Sequence, residues 1–218
     1  LELGLETQQT MKLNIILTGN PGTGKTTVAR KLGEILYSMK LLSAPDVIER
    51  ERKDIVGKYQ NSSGEEMDKA CDLAMGKILF IDEAYSFAPV NDAGTKDQEA
   101  TKAVEVLMKR MEDDAGKFAV ILAGYPAPMD NFIRVNEGIA RRITHRIHIA
   151  DYTAEELMQI FRQMARKQGY TLADNLQPVL FRKINEMLST KDKNWGNAGE
   201  MAKLLEAVKA RLSLRIRE

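Results

Sequence analysis

One segment constrains the fold more than any other. An apolar run at residues 13–17 leads directly into the glycine-rich sequence GNPGTGKTT at residues 19–27. The segment matches G-x-x-x-x-G-K-[ST] in full, with a predicted strand before it and a predicted helix after it. A glycine-rich turn without a ligand is the alternative, and this strand–loop–helix context disfavours it. The loop predicts a phosphate site made by Gly19, Asn20, Pro21, Gly22, Thr23, Gly24, Lys25, Thr26 and Thr27.

The physical basis of this site is a nest of backbone N–H groups. Glycines permit the conformations that turn successive N–H groups inward, and the helix that starts near Lys25 adds the positive end of its dipole. Lys25 can reach the β- and γ-phosphates of a nucleotide, and the Thr26 hydroxyl can ligate Mg²⁺.

A second polar feature follows another apolar run, in the sequence ILFIDE at residues 78–83. We expect this run to be a buried strand that neighbours the first one. Asp82 would hold Mg²⁺ through water, and Glu83 would polarise the attacking water as a general base. A solvated strand end explains one carboxylate, but it explains the pair poorly because burying charge at the end of a sheet is costly. The two motifs together predict Mg-ATP held for hydrolysis.

Strands and helices alternate along the first two thirds of the chain, which predicts a parallel sheet covered on both faces. Two capping boxes are predicted, one at Ser63 and Glu66 and one at Thr153 and Glu156. Gly169 is the predicted C-terminal cap of the helix that follows the second box. The fold class is therefore α/β, a P-loop NTPase with a small C-terminal helical domain. We expect a nucleotide-binding domain at residues 1–150 and a helical domain at residues 151–218. The predicted strands cover residues 13–17, 47–49, 77–82, 118–123 and 146–151.

The composition excludes several classes of function. The 218 residues are 44% hydrophobic and 29% charged, as in ordinary globular proteins, and the net charge of +1 gives no general attraction to nucleic acid or to an anionic membrane. Cys71 is the single cysteine of the chain, which fits a reducing compartment such as the cytoplasm. The apolar runs are too short to span a bilayer, and the first ten residues do not form a signal peptide. His145 and His148 lack the spacing of metal ligands and are expected to be structural.

Several motifs together resemble the AAA+ ATPases, and within them the group that contains stage V sporulation protein K and the red-type rubisco activase. They are the glycine-rich loop, ILFIDEAYSF, LMKRMEDDAGKFAVILAGYP, THRIHIADYTAEEL and GNAG. The resemblance extends from about Leu13 to the last predicted helix. It implies an α/β domain with a helical lid, a bound ATP with Mg²⁺, and a homo-oligomeric ring, usually a hexamer, that remodels a protein partner.

The resemblance also implies an arginine that acts on the ATP of the neighbouring subunit, where it stabilises charge on the γ-phosphate. The stretch NEGIARRITHR carries this position, which falls on Arg142, with Arg141 as the adjacent alternative. Arginines that only cover a helix end and pair with surface carboxylates are the simpler explanation for any single one of them.

Three departures from the family pattern favour a second hypothesis. Gly199 stands where the family usually has an arginine after GNA, and Gly cannot replace its contacts to phosphate. The segment that faces the pore in relatives reads Tyr59-Gln60-Asn61, with a polar residue where an aliphatic one is usual. The helix and linker that precede the first strand in relatives are absent, which suggests an excised fragment. The alternative is thus a nucleotide-controlled interaction module with weak or no hydrolysis, as one domain of a tandem chain or in a mixed ring.

Overall fold

A computed structural model describes residues 12–56, 62–89, 96–192 and 195–217, with side chains to residue 213. The strands are β1 Asn14–Gly19, β2 Val47–Arg50, β3 Ile78–Ile81, β4 Ala119–Gly124 and β5 His145–Ile149. They form one sheet in the order β2-β3-β4-β1-β5, in which β2–β3, β3–β4 and β4–β1 are parallel pairs. The predicted α/β fold is confirmed.

Burial explains why the central strands were predictable. Every residue of β3 and of β4 is buried, as expected for strands covered on both faces by helices. In contrast, β5 lies at the edge of the sheet and is exposed over most of its length. The expectation that β3 neighbours β1 is wrong, since β4 lies between them.

The described part of the chain forms two compact units. The N-terminal unit contains β1 up to Thr18 and Lys25–His148, and the C-terminal unit contains Gly19–Gly24 and the described residues from Ile149 onward. The grouping of the first part of the glycine-rich loop with the C-terminal unit was not apparent from the sequence. The helices of the N-terminal unit are α1 Lys25–Ser38, α2 Arg52–Ile55, α3 Ser63–Leu73, α4 Gln98–Asp113, α5 Pro126–Val135 and α6 Glu137–Arg142.

Helix α3 begins differently from its prediction. Ser63 and Glu66 do not form a capping box, because Ser63 is already the first residue inside the helix and Ser62 is the N-cap. The Ser63 hydroxyl is buried and donates to Glu99 Oε2 over 2.7 Å. Hydrogen bonds from Ser63 and Lys102 lower the pKa of Glu99 to about 2. The sequence has two consecutive serines, so the position of the cap was ambiguous. In the structure the Ser63 side chain binds Glu99 rather than capping the helix.

The C-terminal unit is built from α7 Ala154–Lys167, α8 Gln177–Ser189 and α9 Ala198–Arg217. The capping box at its start is confirmed, since Thr153 Oγ1 accepts from the Glu156 N–H and Glu156 Oε2 accepts from the Thr153 N–H. At the other end of α7, Gly169 has a φ of +82° just beyond the cap, as a helix-ending glycine should. The core of the unit contains Leu157, Phe161, Ile184, Trp195 and Met201.

Candidate functional site

The loop Gly19–Gly24 adopts the backbone that an anion nest needs. Gly22 and Gly24 have φ values of +68° and +86°, a region that side-chain-bearing residues rarely adopt. Within the loop, the buried Thr23 hydroxyl donates to the Asn20 carbonyl over 2.8 Å. Alternation of left-handed and right-handed residues points N–H groups to one side, so this geometry fits bound phosphate.

Asn197 holds this loop from within the C-terminal unit. Its side chain is fully buried, and its amide nitrogen donates to the Pro21 carbonyl over 3.0 Å and to Asp151 Oδ1 over 2.9 Å. Its amide oxygen accepts from the Tyr152 N–H over 3.2 Å. Asn197 itself has a φ of +45°, which asparagine tolerates better than most residues.

Two further side chains complete what we call the asparagine cluster, which consists of Asn20, Asp151, Tyr152 and Asn197. Tyr152 donates its hydroxyl to the Thr23 carbonyl over 2.8 Å, and Asn20 donates to Asp151 Oδ1 over 3.0 Å. Burial raises the pKa of Asp151, but hydrogen bonds from Asn197, Asn20 and Lys191 outweigh it, so the pKa lies below its ordinary value. Except for Asn20, none of these residues was singled out as a site residue from the sequence.

The predicted catalytic carboxylates lie in the N-terminal unit, directly after β3. The Glu83 N–H donates to Asp82 Oδ1 over 2.9 Å. Glu83 has φ +48° and ψ +44°, the left-handed region, which costs a non-glycine residue about 1–2 kcal/mol. Its carbonyl accepts from the Ser86 N–H over 2.8 Å and so starts the 3₁₀ turn Ala84–Phe87. A strained residue held by its neighbours is frequent at functional sites.

Lys25 belongs to the same group of charges. Burial lowers the pKa of Lys25, and the carboxylates of Asp82 and Glu83 oppose this effect. Its ammonium nitrogen also lies 5.1 Å from the centroid of the Tyr125 ring, within the range of a cation–π contact. The structure therefore brings together the predicted phosphate-binding lysine and the two predicted carboxylates.

Two tyrosines complete what we call the carboxylate cluster, which consists of Lys25, Asp82, Glu83, Tyr85 and Tyr125. The rings of Tyr85 and Tyr125 have centroids 5.8 Å apart and are tilted by 32°. Burial, followed by the charge of Glu83, raises the pKa of both phenols above the ordinary value. Tyr85 was not identified as a site residue from the sequence, although it lies two residues after Glu83 in the sequence DEAY.

The two predicted magnesium ligands, Thr26 and Asp82, have side-chain oxygens of the kind that this ion prefers. Thr26 is half-buried in the first turn of α1, and Asp82 is half-buried at the end of β3. Hydroxyl and carboxylate oxygens, supplemented by water and phosphate, are the ligands that Mg²⁺ prefers. Thr27, the last residue of the predicted loop, is exposed.

Arg142 and Arg141 lie at the end of α6 in different environments. Arg142 forms an ion pair with Glu112 and donates from Nη1 to the Gly138 carbonyl over 2.9 Å. Its side chain is 29% exposed, whereas that of Arg141, paired with Glu137, is 78% exposed. Asn14 donates to the Arg142 carbonyl over 2.9 Å and so fixes the backbone of this arginine to β1.

The remaining predicted features are located as follows. Gly199 lies in the first turn of α9, and a Cβ there would meet no described atom within 4 Å. Tyr59, Gln60 and Asn61 lie outside the described residues. His148 hydrogen-bonds to the Thr18 hydroxyl and His145 to the Thr144 hydroxyl, both exposed. Within the described ranges, no group of three or more His, Cys, Asp or Glu side chains has the arrangement of a metal site.

Comparisons with protein families match both parts of the chain. Residues 15–151 match the model of the ATPase family associated with various cellular activities (AAA), and residues 153–218 match that of an AAA lid domain. In a search of solved structures, the complex titled "Structure of E. coli MS115-1 HORMA:CdnC:Trip13 complex" contains a chain with a TM-score of 0.56. That chain is 13% identical; the match covers 91% of this chain and 74% of that one, and supports the fold alone.

The chain is also similar in sequence to several curated proteins. Stage V sporulation protein K of Bacillus subtilis is 40% identical over 165 residues, which are 76% of this chain and 50% of that protein. The ESX-1 secretion system protein EccA1 of Mycobacterium leprae is 40% identical over 170 residues, 78% of this chain and 29% of that protein. The chloroplastic ribulose bisphosphate carboxylase/oxygenase activase of Cyanidioschyzon merolae is 35% identical over 205 residues, 94% and 68% of the two chains.

These matches confirm the resemblance that the motifs indicated. The chain spans half or less of the first two relatives, so what those whole proteins do is not transferred with the match. In the part of the chain that the structure describes, no helix combines the length and apolar character needed to cross a membrane.

Proposed function

We propose, since the chain belongs to the AAA family of ATPases, that it binds Mg-ATP and hydrolyses the bond to the γ-phosphate. The observation that carries this proposal is the carboxylate cluster, in which Lys25 lies close enough to Asp82 and Glu83 for their charges to affect its pKa. The N-terminal domain at residues 1–150 would bind the nucleotide, and residues 151–218 would form its lid.

Each residue has a definite task in this proposal. The N–H groups of the loop from Gly19 to Gly24 bind phosphate oxygens, and Lys25 donates to the β- and γ-phosphates. Thr26 and Asp82 hold the magnesium ion, which would neutralise charge on the phosphates. Glu83 accepts a proton from the attacking water and so makes it a better nucleophile.

We assign Arg142 as the residue that completes the site of a neighbouring subunit in a ring. It must then leave Glu112, whose side chain is 62% exposed. An ion pair of this exposure contributes only about 0–1 kcal/mol, so the pairing does not prevent exchange for a phosphate. Arg141 is the alternative, because its side chain projects further into solvent.

The ring would act on a protein partner. Support comes from the relatives, one of which is named as an activase of an enzyme and another as a secretion system protein. The net charge of +1 disfavours a nucleic acid as the partner, because it gives no general attraction to a phosphate backbone. A cytoplasmic location belongs to the same proposal, and the free, buried thiol of Cys71 is consistent with it.

A second candidate function rests on Gly199. Without an arginine at this position, the chain would bind nucleotide and change its interactions while hydrolysing slowly or not at all. The space around Gly199 makes a direct test feasible, because a Cβ added there meets no described atom within 4 Å. If the missing guanidinium limits hydrolysis, Gly199→Arg raises the rate of turnover; an unchanged or lower rate counts against this candidate. Gly199→Gln is the matched control, since it adds length without charge.

Ring assembly and the role of Arg142 can be tested by mixing two inactive variants. Glu83→Gln retains Arg142, and Arg142→Ala retains Glu83, so a mixed ring contains some sites with both groups intact. Random equal mixing restores about a quarter of the sites and hence of the wild-type turnover. Native mass and turnover are measured together across protein concentrations.

The mixing experiment has two informative failures. If the mixture stays inactive although rings form, Arg142 does not act in trans, and repeating it with Arg141→Ala tests the alternative. If the wild-type chain binds ATP but turnover is absent at every concentration, the proposal of an ATP hydrolase is wrong.

A further inference from the structure

The order of the strands explains why two aromatic rings belong to the carboxylate cluster. Strand β4 separates β1 from β3, and Tyr125 directly follows β4. The centroid of the Tyr125 ring is 5.1 Å from the Lys25 ammonium nitrogen and 5.8 Å from the centroid of the Tyr85 ring. The lysine is therefore connected to the turn that carries Glu83 through packed aromatic side chains.

The Tyr85 ring is held in place by its surroundings. A Cβ at Gly124 would lie 2.8 Å from Tyr85 Cδ1 and 2.8 Å from Met129 Cγ, so the ring packs directly on the backbone at the end of β4. Since Gly124 has no side chain, the tyrosine can approach this closely. Packing on a strand end and on Tyr125 leaves the ring little rotamer freedom, so the position of its hydroxyl is well defined.

Glu83, in contrast, is exposed, and its carboxylate has freedom that the backbone alone does not remove. Its left-handed backbone is anchored through the turn that follows. The Ser86 N–H donates to the Glu83 carbonyl, and Arg52 donates to the Ser86 carbonyl over 2.7 Å. Arg52 also pairs with Asp97 and lies 6.0 Å from the Phe87 ring. These contacts fix the main chain, and a separate group is needed to orient the carboxylate.

We infer that Tyr85 is a positioning residue, whose hydroxyl donates to the Glu83 carboxylate and orients it toward the attacking water. The inference rests on the proposed function, in which Glu83 is the general base. Tyr85 lies two residues after Glu83, in the turn that the Glu83 carbonyl starts. Burial and then the charge and hydrogen bonding of Glu83 raise the pKa of the phenol, in agreement with this placement. Tyr85 does not touch the reacting atoms and acts through Glu83.

The central variant is Tyr85→Phe, which removes the hydroxyl and keeps the packed ring. We expect kcat to fall roughly tenfold, the scale of one hydrogen bond to a charged group, with the KM for ATP unchanged. The melting temperature and its rise on ATP binding should also stay unchanged. Tyr37→Phe is the matched control, since Tyr37 is 48% exposed on α1 and should leave all these values at wild-type level.

A double-mutant cycle separates positioning from a general structural effect. If Tyr85 acts through Glu83, adding Tyr85→Phe to Glu83→Gln causes no further loss in single-turnover hydrolysis. An additional tenfold loss in that background overturns the inference. So does a rise in KM with kcat unchanged, because it would mean that Tyr85 serves nucleotide binding.

A spectroscopic measurement tests the contact without relying on turnover. The 13Cζ resonance of Tyr85, assigned by its loss in Tyr85→Phe, should shift in Glu83→Gln and stay in place in Glu112→Gln. An unmoved resonance in Glu83→Gln overturns the inference. Wild-type turnover that is lost in Glu83→Gln but retained in Tyr85→Phe overturns this inference alone, whereas absence of turnover in the wild type overturns the proposed function and this inference with it.

Discussion

In the asparagine cluster, the Asn197 amide is fully buried, and both its amide nitrogen and its amide oxygen are hydrogen-bonded. In the carboxylate cluster, Glu83 is exposed and its backbone is held in a left-handed conformation. A satisfied buried amide fixes the shape of a loop, because breaking any of its bonds leaves a buried group unpaired. The Glu83 carboxylate, in contrast, is exposed on a strained backbone and stays available for chemistry.

This difference predicts that changes in the two clusters have different consequences. Substitutions in the carboxylate cluster should reduce the rate of hydrolysis with little effect on stability. Those in the asparagine cluster should lower the free energy of unfolding and weaken nucleotide binding through the loop.

The largest effect is expected for Glu83→Gln. Removal of a general base typically costs about 10²- to 10⁴-fold in rate, so turnover should fall by at least about 100-fold. The melting temperature in the presence of Mg-ATP should rise as much as in the wild type, because the phosphate contacts remain. A large loss of stability in the absence of nucleotide would contradict the contrast between the clusters.

Asn197→Ala should be the most destabilising change in the asparagine cluster. It leaves the Pro21 carbonyl, Asp151 and the Tyr152 N–H without this partner and places alanine at a φ of +45°. We expect a loss of about 3 kcal/mol in urea unfolding. Asn197→Gly keeps the backbone conformation and should lose about 1 kcal/mol less. Equal losses in both variants would show that the left-handed conformation contributes nothing.

Two glycines offer a smaller and sharper comparison. A Cβ at Gly22, where φ is +68°, would lie 2.0 Å from the Gly196 carbonyl oxygen, so Gly22→Ala should cost about 2 kcal/mol and weaken ATP binding. Gly199→Ala meets no described atom and lies in a helix, so it should be neutral or stabilising by about 0.5 kcal/mol. Calorimetric melting of both variants, with and without Mg-ATP, checks this. A neutral Gly22→Ala would mean that the loop does not need its glycine.

The smallest effect concerns pH. Because the pKa of folded Asp151 lies below its ordinary value, its stabilisation is present above the unfolded pKa of about 4 and is lost as pH falls through the folded value. The melting temperature of Asp151→Asn should therefore lie below that of the wild type at pH 7, and the gap should close in the acid range. Glu155→Gln, on the exposed face of α7, is the control. A gap that persists unchanged at pH 3 would contradict the depressed pKa.

Much of the N-terminal unit was predictable because its strands and motifs are specified by residues that are close together in the sequence. The strands β1, β3 and β4 are runs of buried apolar residues, and the glycine-rich loop and the acidic pair follow two of them directly. The capping box at Thr153 was predicted for the same reason, since its partner Glu156 is three residues away.

The parts that sequence reasoning missed depend on long-range partners. Asn197 contacts Pro21 across 176 positions, and no local pattern specifies that pairing. The packing of Tyr85 on Gly124 depends on the strand order, which places β4 next to β3. The buried Ser63 hydroxyl likewise donates to Glu99, 36 positions away, and does not form a local cap.

Release of phosphate under single-turnover conditions shows whether this chain hydrolyses Mg-ATP with Glu83 as its base. Wild-type protein in excess over ATP should release phosphate in a reaction that requires Mg²⁺ and stops when EDTA is added, while Glu83→Gln binds the same ATP and retains it. Phosphate release by Glu83→Gln at the wild-type rate, or none from wild-type protein that binds ATP and forms rings, would contradict the claim.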